Sequence, residues 1–343
     1  MSAVLVTQNL TDPSIAAGVL KSGQLIAFAT ETVYGLGADA TNSEAVARVF
    51  EAKKRPAFDP LIVHVADATA AQQVAASWPP VAAKLAAAFW PGPLTMVLPK
   101  RDHISDLVTS GLPGVGIRVP KHPLAQSLLK YFAGPVVAPS ANLFGSISPT
   151  TAEHVRHGLS GRIAAVLDGG ACEVGVESTV VSLMDKRPII LRPGGLVKED
   201  IEQITGPIEI ATANSHLDDA AQPAPGMLSR HYAPKTRLLL IDTDADAIPE
   251  NNGRWGLLTH GPDSPPEQTA GDQNDSATVS ENIRFQEVQS LGSTKDLPTC
   301  AANFFAGLRS LDAANLDAII ARKFPATGLG IALNDRLKRA AAR

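Results

Sequence analysis

The sequence predicts an α/β protein in two parts, with a mixed sheet in the first. Three observations predict it. Eight short, β-branched runs before about residue 205 are each bounded by turn residues and read as strands. Helical patterns lie between several of them. Beyond a stretch poor in apolar residues, a second alternation of strand and helix patterns begins at residue 237.

The strand runs are LIAFAT (25–30), LIVHVA (61–66), LTMVLP (94–99), VGIRVP (115–120), PVVAPS (135–140), IAAVLD (163–168), STVVSL (178–183) and PIILRP (188–193). Thr41 and Glu44 have capping-box spacing, and Ala45, Val46, Val49 and Phe50 then form an apolar stripe that Pro56 must end. Thr150 and Glu153 repeat the device before a short helix that Gly158 can close. Residues 206–236 read as a linker ending in PGMLSRHYAP (225–234), a string rich in groups able to make contacts. The second part then shows a strand at RLLLID (237–242), a loose polar loop at 261–282, a helix near 298–311, a strand at LDAIIA (316–321) and a terminal helix from about 329. The predicted division is therefore 1–205, a linker over 206–236, and 237–343.

Composition removes several function classes. An apolar fraction of 45% and a charged fraction of 19% exclude global disorder. No apolar run is long enough for a membrane span, and no basic segment precedes an apolar stretch at the N-terminus, so a cytoplasmic protein is expected. Cys172 and Cys300 form no CxxC pair, and a disulfide framework is not expected. Residues 1–205 carry 17 basic and 17 acidic side chains, so any nucleic-acid contact must use a local patch. The two common nucleotide fingerprints, GxxxxGK[ST] and GxGxxG after a strand, do not occur. There is no GxSxG, and His154 with His157 has no third zinc ligand in sequence reach.

What is present is a set of donors at strand ends. The first strand runs into Thr30, Glu31 and Thr32 and then a Gly35-Leu36-Gly37 turn, at the sheet end where α/β folds place ligands; hydroxyls satisfying backbone groups are the alternative. Lys53, Lys54 and Arg55 precede a Pro-x-x-Asp-Pro turn that aims them at the same end, or else form a solvated helix terminus. His64 lies inside an apolar strand, where a satisfied core histidine is as good a reading as a functional one. Arg118 interrupts VGIRVP and needs an anion, either a ligand or an internal acid. Ser148 and Thr150 lie at a helix start that suits phosphate or ordinary capping, Ser178 opens a strand and Arg192 closes one. Together these residues describe a donor-rich, cationic pocket for a phosphorylated ligand.

The strings TETVYGLGADA, KKRPAFDPLIVHV, PGPLTMVL, VGIRVPKHP, APSANLFGSISPT, VESTVV, ILRPG and PGMLSRHYAP occur in this order, and over residues 10–235 the chain closely resembles the YrdC-like family, in the long two-domain form of threonylcarbamoyl-AMP synthase. The resemblance implies a twisted mixed sheet with an open, positively charged cavity, followed by a linker and a small Rossmann-like domain. It implies a reaction of L-threonine, bicarbonate or CO2 and ATP, with Mg2+, that yields threonylcarbamoyl-AMP and pyrophosphate for modification of tRNA beside the anticodon. It assigns threonine to Thr32, His64, Arg118, the backbone at Ala138, and Ser178. It assigns ATP to Lys53, Arg55, Asp59, Gly114, Ser140, Ser148, Arg192, His231 and Tyr232, with Arg230, His231 and Tyr232 closing over the cavity. His64, Lys53 and Arg55 are the residues expected to act in catalysis, and no protein metal ligands are expected. Two positions depart from the family: Ala29 stands where proline is common, and Asp59 where asparagine is, so that Asp59 suits Mg2+, ribose or the adenine amine better than phosphate. Direct contact with tRNA or with a downstream transferase complex is a further expectation. A YrdC-like module that grips double-stranded RNA or tRNA without chemistry is the alternative reading, weakened by the balanced charge of residues 1–205. Hydrogenase-maturation chemistry is disfavoured because the chain has no CxxC zinc sets.

Overall fold

A computed structural model describes residues 6–56, 58–211, 231–241, 253–261 and 285–342. Its larger sheet contains β1 (Gln8–Leu10), β2 (Ile26–Phe28), β3 (Gly35–Asp39), β4 (Ile62–His64), β5 (Leu94–Pro99), β6 (Gly114–Arg118), β7 (Val136–Val137), β8 (Ala165–Leu167), β9 (Thr179–Ser182), β10 (Ile189–Arg192) and β11 (Glu209–Ile210). Their spatial order is β1-β8-β2-β3-β7-β4-β6-β5-β9-β10-β11. Parallel and antiparallel pairs alternate without a single rule: β4 and β6 run parallel, while β3, β7 and β5 each pair antiparallel with a neighbour. All eight strand runs read from the sequence are present, and the sheet continues past residue 205 through β11.

Alternation along β2 shows how the sheet is covered on both faces. Ile26 and Phe28 pack with the helices Pro13–Lys21 and Pro123–Phe132, through Leu20, Leu128 and Leu129. Ala27 faces the other way, into the core that holds Val46, Val49, Val63, Leu85, Met96 and Ile117. Three local expectations are corrected. Gly35-Leu36-Gly37 starts β3 rather than making a turn, because a side chain at Gly37 would meet the Phe28 ring at 2.9 Å. The helix Ser43–Lys53 is capped by Asn42, whose side chain accepts from the Glu44 and Ala45 amides, while Thr41 bonds to Asp39. Likewise Thr151, not Thr150, caps the helix Ala152–Leu159, which runs through Gly158.

The smaller sheet is wholly parallel, with β12 (Arg237–Ile241), β13 (Trp255–Gly261), β14 (Phe285–Ser293) and β15 (Ala318–Arg322) in the order β12-β15-β13-β14. The helices Leu297–Ala313 and Leu329–Ala341 accompany it. The reading of a loop at 262–282 lies outside the described residues. The two domains share one apolar core: Val33, Ile147, Val176 and Tyr232 pack with Phe304, Phe305, Leu308 and Leu337. The approach is so close that a side chain at Gly175 (φ +74°) would stand 2.2 Å from the Ala301 carbonyl oxygen. Among the described residues, no helix is long and apolar enough to cross a membrane.

Candidate active site

A pocket lies where the strand ends converge. His64, Arg118 and Arg192 are the last residues of β4, β6 and β10; Thr30 and Thr32 follow β2; Ala138 and Ser140 follow β7; Glu177 and Ser178 precede β9. Arg55, His231 and Tyr232 complete the wall. The β4–β6 register sets His64 opposite Arg118, so the two side chains are neighbours by strand pairing alone. The cavity is small, about 40 Å³, and has room for a few waters at roughly 10–15 Å³ each.

At one end Arg118 organises the donors. Its Nη2 meets Glu31 Oε1 at 2.6 Å, its Nη1 donates to Thr32 Oγ1 at 2.8 Å, and Nε donates to the Gly92 carbonyl at 3.3 Å. Glu31 Oε2 accepts the Lys121 amide at 2.9 Å. Burial alone would raise the Glu31 carboxyl, but Arg118 and the amide outweigh it and hold it below its usual value. His64 Nδ1 lies 3.2 Å from the Ile62 carbonyl; a proton assigned there leaves Nε2 with a free lone pair. Burial first, and Arg118 second, push the imidazole down to about 3. Ser178 Oγ shares a hydrogen bond with Thr95 Oγ1 at 2.8 Å.

At the other end the cations are also engaged. Lys53 Nζ donates to the carbonyls of Ser140 and Asn142 at 2.5 and 2.6 Å, fixing the loop after β7; burial, then Arg55, hold its pKa well below the usual value. Arg55 pairs with Asp59 at 2.9 Å and donates to the Asp59 and Pro60 carbonyls. Asp59 is fully buried, and desolvation raises its carboxyl against the pull of Arg55, Lys53 and Arg192. Arg192 donates to the Ser178 carbonyl at 2.8 Å. Ser148 Oγ donates to Glu177 Oε1 at 2.5 Å, and Glu177 Oε2 accepts from Arg336 of the second domain at 2.9 Å. His231 and Tyr232 stack edge-to-face at 4.1 Å, with Phe144 on one side and Phe305 on the other. Burial and the surrounding cations keep His231 neutral, its pKa well below the ordinary value.

The structure brings Thr32, Arg55, His64, Arg118, Ala138, Ser140, Ser178, Arg192, His231 and Tyr232 onto one wall. Lys53, Asp59 and Ser148 stand behind it and act on wall residues. Gly114 lies at the opposite end of β6 from Arg118 and packs against Met184 and Val97, away from the pocket. Arg230 lies outside the described residues. The anion that Arg118 requires is an internal acid, Glu31. A group of desolvated guanidiniums with no counter-charge would cost several kcal/mol each, which explains why Glu31, Asp59 and Glu177 accompany them. Sequence reasoning did not place Glu177, Thr95 or Arg336 here. Only Glu31 carried a usable signal, since a buried arginine demands an acid.

The chain matches the family model described as "Telomere recombination" over residues 18–194, and the one described as "Threonylcarbamoyl-AMP synthase, C-terminal domain" over residues 196–342. The chain belongs to the threonylcarbamoyl-AMP synthase family. It is 44% identical to the threonylcarbamoyl-AMP synthase of Bacillus subtilis over 98% of this chain and 96% of that one. It is 40% identical to that of Pyrococcus abyssi over 95% and 93%. A crystal structure of the P. abyssi protein complexed with L-threonine superposes with a TM-score of 0.86 at 38% identity, covering 98% of this chain and 97% of that one. Both family domains are thus present in the order of the full-length synthases, and the α/β architecture is theirs.

Proposed function

We propose that this chain joins L-threonine, bicarbonate or CO2 and ATP into threonylcarbamoyl-AMP, with release of pyrophosphate and, from bicarbonate, water. The observation that carries the reading is one pocket lined by two adjoining donor sets: Arg118, Thr32, His64 and Ser178 in the first, Arg55, Ser140 and Arg192 in the second. The first suits an α-amino acid bearing a hydroxyl, and the second suits a polyphosphate. Full-length similarity to enzymes of that name supports the same assignment.

The chemistry requires threonine's amine to lose a proton, attack CO2 and become a carbamate, whose oxygen then attacks the α-phosphorus while pyrophosphate leaves. Chain-terminal amines titrate at roughly 8 and the amine of a free amino acid somewhat higher, so only a modest push is needed. His64, held at about 3 by burial and Arg118, is too weak a base to supply it. Its role is to position, and the proton passes to solvent before closure. The carbamate decomposes in water, so its capture depends on proximity and exclusion of solvent. His231 and Tyr232 close one side of a cavity of about 40 Å³, whereas ligand pockets run from about 300 Å³ upward. These two side chains must move for ATP to enter and can seal the site once it is bound.

Among the described residues, no three His, Cys, Asp or Glu side chains gather to hold a metal. Both oxygens of Glu177 are occupied, while Asp59 Oδ1 accepts no hydrogen bond from the described residues. Such a site fits Mg2+ held mainly by phosphate and water, since Asp59 stands behind the wall and is already paired with Arg55. There the ion would neutralise charge on the triphosphate. The product would serve tRNA modification, with tRNA or a transferase complex as the recipient.

The test is to follow pyrophosphate from purified protein with ATP, Mg2+ and bicarbonate, with and without threonine. Release that depends on threonine is expected; release that ignores threonine refutes the reading.

A further inference from the structure

Arg336, on the helix Leu329–Ala341 of the second domain, is fully buried and reaches across the domain seam. Its Nε donates to Glu177 Oε2 at 2.9 Å, and its Nη1 donates to the Pro193 carbonyl at 2.9 Å and to Asp335 Oδ2 at 2.8 Å. Its Cζ lies 5.2 Å from the centroid of the Tyr232 ring, within cation–π range. One guanidinium therefore touches the residue before Ser178, the residue after Arg192, and the linker aromatic. Through Glu177 it also reaches Ser148, whose hydroxyl occupies the other carboxylate oxygen.

This arrangement has little to offer stability alone, since a buried ion pair is often no better than apolar packing. What it does provide is geometry. A planar fork holds its acceptors in fixed directions, whereas a lysine ammonium is a rotatable point charge. All three contacts lie beside Ser148, Arg192 and Tyr232, at the polyphosphate end, and none touches Arg118, Thr32 or His64.

We propose that Arg336 is a positioning residue for the nucleotide, acting through Glu177 on Ser148, through the Pro193 carbonyl on Arg192, and through Tyr232 on the linker. The inference rests on the pocket's proposed use of ATP. It gives the second domain a direct part in the reaction: the nucleotide end is complete only when that domain is seated.

The experiment measures pyrophosphate release, with ATP and threonine varied in turn, for the wild type, Arg336→Lys, Arg336→Met, Glu177→Gln and the Arg336→Met/Glu177→Gln double variant. The KM for ATP should rise about tenfold in Arg336→Met and about fivefold in Arg336→Lys, with the KM for threonine within roughly twofold of wild type. Because Arg336 acts through Glu177, the double variant should lose about as much as the larger single variant, clearly less than the summed single effects on a logarithmic scale. Unaltered ATP dependence, an equal rise for both substrates, or fully additive effects would overturn the proposal. Should Arg336→Met not fold, the ATP-against-threonine split in Arg336→Lys decides alone. A wild type that releases no threonine-dependent pyrophosphate overturns the functional reading and this inference with it. Normal wild-type kinetics with unaltered Arg336 variants overturns this inference only.

Discussion

Arg118 Nη2 and Glu31 Oε1 meet at 2.6 Å in the floor of the pocket, and the same guanidinium holds Thr32 through its other nitrogen. The pairing turns an otherwise prohibitive buried charge into an aimed donor set. It also makes Glu31, which is set back from the cavity wall, as important to the site as the residues that line it.

Glu31→Ala should therefore cost about 3–5 kcal/mol of stability, since it leaves Arg118 buried without its partner. Threonine binding should weaken in parallel because Thr32 loses its fixed donor. Urea unfolding and threonine titration measure the two effects. The sign of the pH dependence follows from the lowered Glu31 carboxyl. The contribution is present in full above its usual 4.5 and is lost as pH falls through the lower folded value.

His64 works in the same direction from the opposite chemistry. Its folded pKa of about 3 lies below the usual 6.5, so on acidification the unfolded chain takes up a proton that the fold refuses. Stability should decline between pH 6.5 and about 3, by at most about 1.4 kcal/mol per pH unit for this one group. His64→Gln should flatten that slope in unfolding curves recorded at pH 7 and 4.5. An unchanged slope would mean that His64 is protonated in the fold.

Lys53→Met should leave the Ser140 and Asn142 carbonyls without their shared donor. Each unsatisfied buried group costs about 1–3 kcal/mol, and the loop carrying Ser140 should loosen. The expected outcome is a lower melting temperature with kcat/KM down by about tenfold or more, read from melting curves and pyrophosphate release.

Gly175→Ala tests the domain seam. Its φ of +74° and the 2.2 Å approach of a Cβ to Ala301 O leave no room for a side chain. The backbone strain alone costs about 1–3 kcal/mol. Lower thermal stability and faster protease cleavage between the domains are expected.

The sequence showed the strands whose ends carry the site and hid the parts that depend on distant partners. LTMVLP was legible residue by residue as β5 because it is continuous, apolar and bounded by proline and polar turns. β3 was read as a turn because two glycines look like one; they are there to let the strand pass the Phe28 ring. Asn42 and Thr41 are both good caps, and only the fold decides between them. β13 and β14 flank a polar stretch, and the pairing of β13 with β14 on one side and β15 on the other is non-local. The donor set was legible at Thr32, Arg118, Ser178 and Arg192, since polar groups at buried strand ends need a reason. Arg336 was not, because LNDRLKR on a terminal helix reads as a solvated charged face until the other domain covers it.

The central claim, one pocket holding an amino acid and a triphosphate at separate ends, is tested most directly by calorimetric titration of threonine and of a non-hydrolysable ATP analogue. Arg118→Lys should abolish threonine binding, while Arg55→Ala should abolish binding of the analogue and leave threonine affinity within roughly twofold. Loss of both ligands in each folded variant, or of neither, would contradict the account.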